Sequence, residues 1–285
     1  MVNFTPNEIL DFGIDIISGF ENAGINKTKK VMYFRGHFGV SPLSYSKICD
    51  DLQLEKPGWI PSLEKLLISG RFLFLYETLI VLRGATGLDE GVLTSWIWQY
   101  VKLIQSLKRV KIKLQDVTDS DKILALSVDG VHFRTREVRK EPSSSWYSHK
   151  HKGPGLTYEL GISIWESKLV WINGPFKAGK NDIGMFRSED GLEEKIPENK
   201  YVLGDSAYKS SAKAKVKKRS DSKDLKEFKN RALARHETFN GRIKNFNCLQ
   251  NRWKHCISKH KSAMEAVCVL VQYDMENGHP LFEVY

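Results

Sequence analysis

KILALSVDG, residues 122–130, carries five apolar side chains in the six positions after Lys122 and then stops on Asp129 and Gly130. An apolar run of that length, bounded by charge on one side and an Asp-Gly pair on the other, reads as a buried strand over 122–128. YVLGDSAY, residues 201–208, repeats the pattern: a short strand, then Asp205. An acid at the carboxyl end of a central strand is costly to desolvate unless a cation meets it. Two such acids leave the stretch between them to decide the architecture.

Between them, LTYELGISI (156–164) alternates and reads as a strand, and KLVWI (168–172) reads as another, with a hairpin turn near Ser167 and Lys168. Residues 181–187 are helix-like. Beyond Asp224 the chain turns helical again, through LKEFKNRALARHETFNGRIKNFNCL and then SAMEAVCVLVQYDMEN. Three strands, a helical crossover, a fourth strand and closing helices describe an α/β domain with a mixed sheet over 119–285. The residues before it, 1–118, read as helical. Ser62 is placed to cap a helix that buries Phe72 to Tyr76. LIVLRGATGLDEGVLTSWIWQYVKLIQSLK (79–108) reads as helix, glycine turn at Gly87, and helix. Its second helix sets Val92, Trp96, Tyr100, Leu103 and Leu107 on one apolar stripe. That pattern suits a DNA-reading helix-turn-helix or an ordinary helical hairpin.

At 285 residues the chain has room for one large domain or two smaller ones on a prior of about 100–200 residues each. With 41% hydrophobic and 11% aromatic residues it is too apolar for a disordered chain, and four cysteines without paired spacing exclude a disulfide scaffold. Cys49, Cys248, Cys256 and Cys268 are read as free thiols in a reducing compartment. The most apolar run, 72–82, contains Glu77 and falls short of the ~20 residues of a membrane span. The first residues carry acids and no basic lead, so no secretory signal is expected. A soluble, intracellular protein is the expectation.

The net charge of +10 is not evenly spread. Residues 205–261 hold 17 basic against 5 acidic side chains, +12, so this one segment carries the whole positive excess. A localised basic stretch points to a polyanion, usually nucleic acid, or to a solvated lysine-rich loop. Within it lies a third acid, Glu237, on a helix whose apolar side is Phe239, Ile243 and Phe246. Gly241 and Lys244 share Glu237's face, and Gly241 would let a metal or a sugar-phosphate backbone come close. Taken singly, each acid is a cap or turn residue. Together, two strand-end acids and one helical acid suit a hard divalent cation, which takes oxygen ligands and works in pairs on phosphodiesters.

VDGVHF around Asp129, GDSAY around Asp205 and RHETFNGRIKNF around Glu237 resemble the Asp-Asp-Glu signature of PIF/Harbinger-type DDE transposases. WYSHKHKGPGLTYELGISI, VWINGPFKAGKNDIGMFR, ENGHPLFEVY, FRGHFGVSP and TSWIWQYVKLIQSLK extend the likeness to nearly the whole chain. The resemblance implies a ribonuclease-H-like α/β fold, a mixed sheet flanked by helices, behind a helical region with a helix-turn-helix. It implies DNA strand cleavage and transfer with Mg²⁺ or Mn²⁺ in a two-metal site held by Asp129, Asp205 and Glu237. Asp182 matches a further recurrent family aspartate, read as supporting or structural. Ala207 stands where the family often has glycine, and Asn181-Asp182 replaces a common Trp-Pro-Asp or His-Asp context; neither change removes a ligand. The implied partners are transposon-end and target DNA, a homo-oligomer on that DNA and a Myb-like accessory protein, with the nucleus as the place of action. The other readings are a host-adopted sequence-specific DNA-binding protein and a ribonuclease-H-like enzyme acting on RNA hybrids.

Other residues fit this frame. His149, Lys150, His151 and Lys152 form a basic hairpin candidate beside Trp146 and Tyr147, suited to phosphate contact and stacking or to a solvated loop. Lys213, Lys215, Lys217, Lys218 and Arg219 read as a nuclear import signal, a DNA-backbone clamp, or both. Lys244 is a further candidate DNA contact. His236 either approaches the scissile phosphate or lies on a solvated helix face. Cys256 with His260 and Cys248 with His255 lack a four-ligand zinc pattern and are read as non-metal.

Overall fold

The computed structural model describes residues 2–18, 25–137 and 143–284. In chain order the helices are α1 (Pro6–Ser18), α2 (Lys27–Phe38), α3 (Pro42–Glu55), α4 (Leu63–Leu75), α5 (Leu79–Thr86), α6 (Glu90–Ser106), α7 (Lys108–Lys111), α8 (Gln115–Thr118), α9 (Ser143–Trp146), α10 (Asp182–Phe186), α11 (Leu192–Lys195), α12 (Lys223–Lys244), α13 (Asn247–Gln250) and α14 (His260–Glu276). The strands are β1 (Leu124–Arg134), β2 (Tyr147–Ser148), β3 (Gly153–Ser163), β4 (Leu169–Lys177), β5 (Tyr201–Leu203) and β6 (Ala214–Lys215). Two compact units result. A helical unit takes Met1–Arg109, Ile243–Cys248 and Ser262–His279; a sheet unit takes Val110–Arg242, Leu249–Lys261 and Pro280–Tyr285. No described helix is long and apolar enough to cross a membrane.

The sheet unit is a mixed α/β structure of the ribonuclease-H-like kind. β4, β3 and β1 pair antiparallel, and β5 and then β6 join the other side of β1 in parallel. β1 is therefore central. Its even-numbered side chains Leu126 and Val128 pack with Val202, Phe186 and Tyr208 on one face of the sheet. On the other, Leu203 packs with Ala232 of α12 and with Ile164 and Val284. The sequence expectation of a strand that stops at Asp129 is corrected here. β1 runs on to Arg134, paired residue by residue with β3 from Leu126↔Ser163 to Arg134↔Gly155. Gly130 is no turn: a Cβ there would meet Asp182 Oδ1 at 2.2 Å. It marks a close approach within a strand rather than its end.

The helical unit closes with a segment from the far end of the chain. Asp274 of α14 takes both guanidinium nitrogens of Arg35, at 2.8 and 3.0 Å, and the backbone N–H of Ser41 at 3.0 Å. Glu265 accepts from Lys108 at 2.7 Å and from Gln105. Both carboxylates are nearly fully buried, so each cation leaves a costly orphan if removed. Ser62 does cap α4, accepting from Lys65 N. The 79–108 pattern folds as α5, a left-handed Gly87 (φ 71°) and α6. The buried face of α6 differs from the expected stripe: Tyr100, Leu103 and Leu107 are buried, but Leu93, Ile97, Val101 and Ile104 complete the face. Val92 is 39% exposed. Trp96 sits at the border beneath the Lys65 ammonium, 4.7 Å from its ring centre, while Trp98 meets the edge of Phe72. Large amphipathic rings are accommodated at the border of a core, which turns the apolar stripe by one residue.

Leu93→Ala should lower the unfolding free energy in urea by about 2–5 kcal/mol, and Val92→Ala should change it by no more than about 0.5 kcal/mol. Equal costs for the two would return the buried face to Val92.

Candidate active site

The parallel pairing of β1 with β5 brings the segments that carry the first two acids next to each other. Ser127 lies opposite Leu203. Two residues beyond that pair along each chain stand Asp129, still within β1, and Asp205, just past the end of β5. Asp205 leaves the sheet at the end of β5 and caps the short helical turn Ser206–Tyr208, its Oδ1 accepting from Ala207 N at 2.8 Å. Asp129 stays within β1. The third acid arrives on α12, which two side-chain bonds hold over this face. Ser127 Oγ pairs with His236 Nδ1 at 3.0 Å, and Asn240 Nδ2 donates to Asp129 Oδ2 at 3.3 Å. Ser127 and Asp129 share one face of β1, His236 and Asn240 one face of α12. Glu237 projects beside this seam, exposed.

Burial, then the like charges of Glu237, Asp182 and Asp205, push the Asp129 carboxyl up to about 7; the Gly130 N–H acts in the opposite sense. Four acids thus share one electric field. Among the described residues no three His, Cys, Asp or Glu side chains close into a ready metal-ligating group. The two facts agree: repulsion between carboxylates acts over several ångström, further than the ~2.0–2.1 Å of a magnesium–oxygen bond. The donor set is all carboxylate oxygen, it is short of positive charge, and Mg²⁺ is usually held by one or two carboxylates plus substrate phosphate. The residues present fit such an ion.

Asp182 opens α10, just after the cap Asn181, and fills the space left by Gly130. Its carboxyl is raised by burial and by Asp205, and lowered by Lys150. Beneath it lies a group that sequence reasoning missed. Glu159 of β3 pairs with Gly130 in register and is 0% exposed. Burial pushes it up to about 8, against the pull of a 3.0 Å hydrogen bond from Trp171 Nε1. The Tyr208 hydroxyl is buried as well, with no hydrogen-bond partner among the described residues. The available signal was TYELGIS itself: a glutamate inside a run whose every other residue is uncharged.

His236 meets neither expectation. It is 1% exposed, bonded to Ser127 and held neutral by burial, which drives its pKa down to about 3. It positions α12. A Cβ placed on Gly241 would find nothing within 4 Å, so no packing demands glycine there. Lys150 and Lys152 are exposed on the turn joining β2 to β3. The 213–219 run is partly tethered. Lys215 Nζ lies 3.6 Å from the Tyr201 ring centre, Lys217 Nζ donates to Asn230 Oδ1, and Lys218 N donates to Asp221 Oδ2. Lys218 and Arg219 keep exposed side chains, and Lys244 is half-buried in the last turn of α12. His260 is committed to Tyr158, whose hydroxyl lies 2.9 Å from its Nδ1.

Glu159 gives a pH signature. Its folded pKa is raised above the unfolded value, so its stabilising proton is fully present at low pH and lost as pH rises through about 8. Gln keeps the shape and hydrogen-bond pattern of the neutral carboxyl. Wild type should therefore lose about 2–3 kcal/mol more than Glu159→Gln between pH 6 and pH 9 in urea unfolding. Parallel pH profiles would mean that Glu159 does not titrate in this window.

A family model described as DDE superfamily endonuclease matches residues 128–272, a span that takes in Asp129, Asp182, Asp205 and Glu237. No curated protein and no solved structure matches the chain. With just over half of its length matched, the chain belongs to the DDE superfamily endonucleases.

Proposed function

We propose that the chain is a transposase-type endonuclease of the PIF/Harbinger kind that cleaves and joins DNA strands with divalent metal ions. The observation that supports this reading is the seam of β1, β5 and α12: Asp129 on β1, Asp205 just past the end of its parallel neighbour β5, and α12, which carries Glu237, docked on β1 by the His236–Ser127 and Asn240–Asp129 bonds. Asp129, Asp205 and Glu237 would hold Mg²⁺ or Mn²⁺. A bound divalent ion would supply Lewis-acid activation of the phosphodiester and of the attacking oxygen. The chain's own part is positioning. Asn240 orients one Asp129 oxygen, Ala207 N–H orients one Asp205 oxygen, and the neutral His236 keeps α12 in register on Ser127. Exposed cations at Lys150, Lys152, Lys218 and Arg219 would meet the DNA backbone, and the 213–219 run would serve nuclear import. Action as a homo-oligomer on transposon ends, with a Myb-like accessory protein, belongs to the same reading.

Glu237→Gln tests it. The amide preserves size and helix propensity and removes an exposed charge, so the fold should hold. Metal-dependent nicking in Mg²⁺ and Mn²⁺ should fall at least about 100-fold, while gel-shift affinity for duplex DNA stays level or tightens. Full nicking by the variant would exclude Glu237 from the site. A wild type that binds one DNA sequence tightly but never nicks would favour the adopted DNA-binding protein.

A further inference from the structure

β1 carries Asp129 near its middle and Arg134 at its far end. Beside Arg134 the sheet unit opens into a cleft of about 390 Å³. Arg134, Lys150, His151, Lys152 and Arg252 line it, and no carboxylate does among the described residues. Four formal positive charges in one cleft repel each other, so the fold must hold them there.

It does so through the backbone. Thr135 and Trp253 form a parallel β-bridge, and Trp253 N donates to the Arg134 carbonyl at 2.9 Å. That bridge brings Arg134 and Arg252 abreast across a large gap in sequence. Thr135 N donates to Pro154 O at 3.1 Å, tying the β2–β3 turn to the same point. Within the turn, His151 N donates to Ser148 Oγ, Lys152 adopts a left-handed φ of 50°, and the His151 ring stacks on His132 at 4.4 Å with planes 7° apart. Three separate segments are thus fixed to gather cations.

Among the described residues the lining has no large apolar side chain to receive a base or an acyl group. Its four formal cations have exposed side chains, so the cleft is open for a polymer to pass through rather than closed around a small anion. It is also linked to the acids. Arg134 is five residues beyond Asp129 on the same strand, about 16–17 Å of backbone at 3.3–3.4 Å per residue, and the odd step turns the two side chains to opposite faces of the sheet. The Lys150 ammonium also lowers the Asp182 carboxyl.

We infer that this cleft seats the phosphodiester backbone of the DNA substrate at a distance from the scissile phosphate. The assignment rests on the endonuclease reading and adds to it the place where the strand is gripped. Arg134 and Arg252 offer forked donors to phosphate oxygens, and Lys150 and Lys152 act as point charges beside them.

The test reads binding apart from chemistry. The full chain is titrated against a fluorescein-labelled 30-base-pair duplex without metal, over a series of salt concentrations. Arg134→Gln with Arg252→Gln should flatten the slope of log affinity against log salt by about 1–2 units, about 0.9 for each phosphate no longer neutralised. Affinity should weaken about 10-fold at the middle of the series. The Arg134→Lys, Arg252→Lys variant should keep the slope, which separates missing charge from a damaged fold. A wild type that binds and nicks, with a Gln variant of unchanged slope, overturns the cleft and leaves the endonuclease reading standing. A wild type without salt-dependent DNA binding overturns both.

Discussion

Like charges are hard to hold together, and the sheet unit is arranged around doing so. Asp129 is half-buried, which raises its carboxyl, and Glu237, Asp182 and Asp205 all raise it further. A flexible backbone would let these groups separate. β1 prevents this because it is paired on both sides, with β3 along 126–134 and with β5 in parallel. α12 has no ladder to fix it and relies on side chains instead. His236 is neutral, so its bond to Ser127 fixes the helix without adding a charge to a field already crowded with them. A lysine at that position would reach a carboxylate and neutralise part of the field. The neutral imidazole leaves the deficit for a divalent ion and phosphate to meet.

The layer beneath the acids follows the same logic. Glu159 stands across from Gly130, and a fully ionised carboxylate there would add a fifth negative charge. Burial keeps it protonated through neutral pH, so it acts as a hydrogen-bonding wall with Trp171. Gly130 then lets Asp182 come within reach of the strand that carries Asp129. One missing side chain and one neutral carboxyl thus set how closely the ionised groups approach.

Much of the sheet was legible in the sequence because alternation and turn signals are local. The strands at 156–164, 168–172 and 201–204 and the helix at 181–187 follow from such patterns and correspond to β3, β4, β5 and α10. The failures have non-local causes. Asp-Gly at 129–130 has the composition of a turn, but a partner strand pairs straight through it and Asp182 occupies the glycine's empty side. Alternation at 156–164 is the pattern of a strand with one wet face; layers on both faces instead bury every residue from 155 to 163, and Glu159 is hidden with them. His236 sits among lysines and arginines in sequence, so only the helix's docking reveals its buried face. The sequence also placed residues 262–277 with the α/β domain, whereas Asp274 and Glu265 tie 262–279 to Arg35 and Lys108 of the helical unit. No periodicity encodes such a pairing, because the partners lie far apart along the chain.

β1 finally carries two opposed demands on one strand. A polyanion is repelled at Asp129 and attracted at Arg134. The separation of about 16 Å exceeds the ~8–10 Å over which charges act through physiological salt. Arg134 and Arg252 therefore do little to neutralise Asp129, and Asp129 does little to weaken their grip. That independence has a chemical use. If Arg134 and Arg252 stood beside Asp129, they would supply the missing positive charge themselves and leave the carboxylates without need of a metal. Set apart from Asp129, they would hold the proposed DNA strand and leave the acids without a cation, so the seam of β1, β5 and α12 would stay open to the proposed divalent ion and phosphate rather than close as an internal salt bridge.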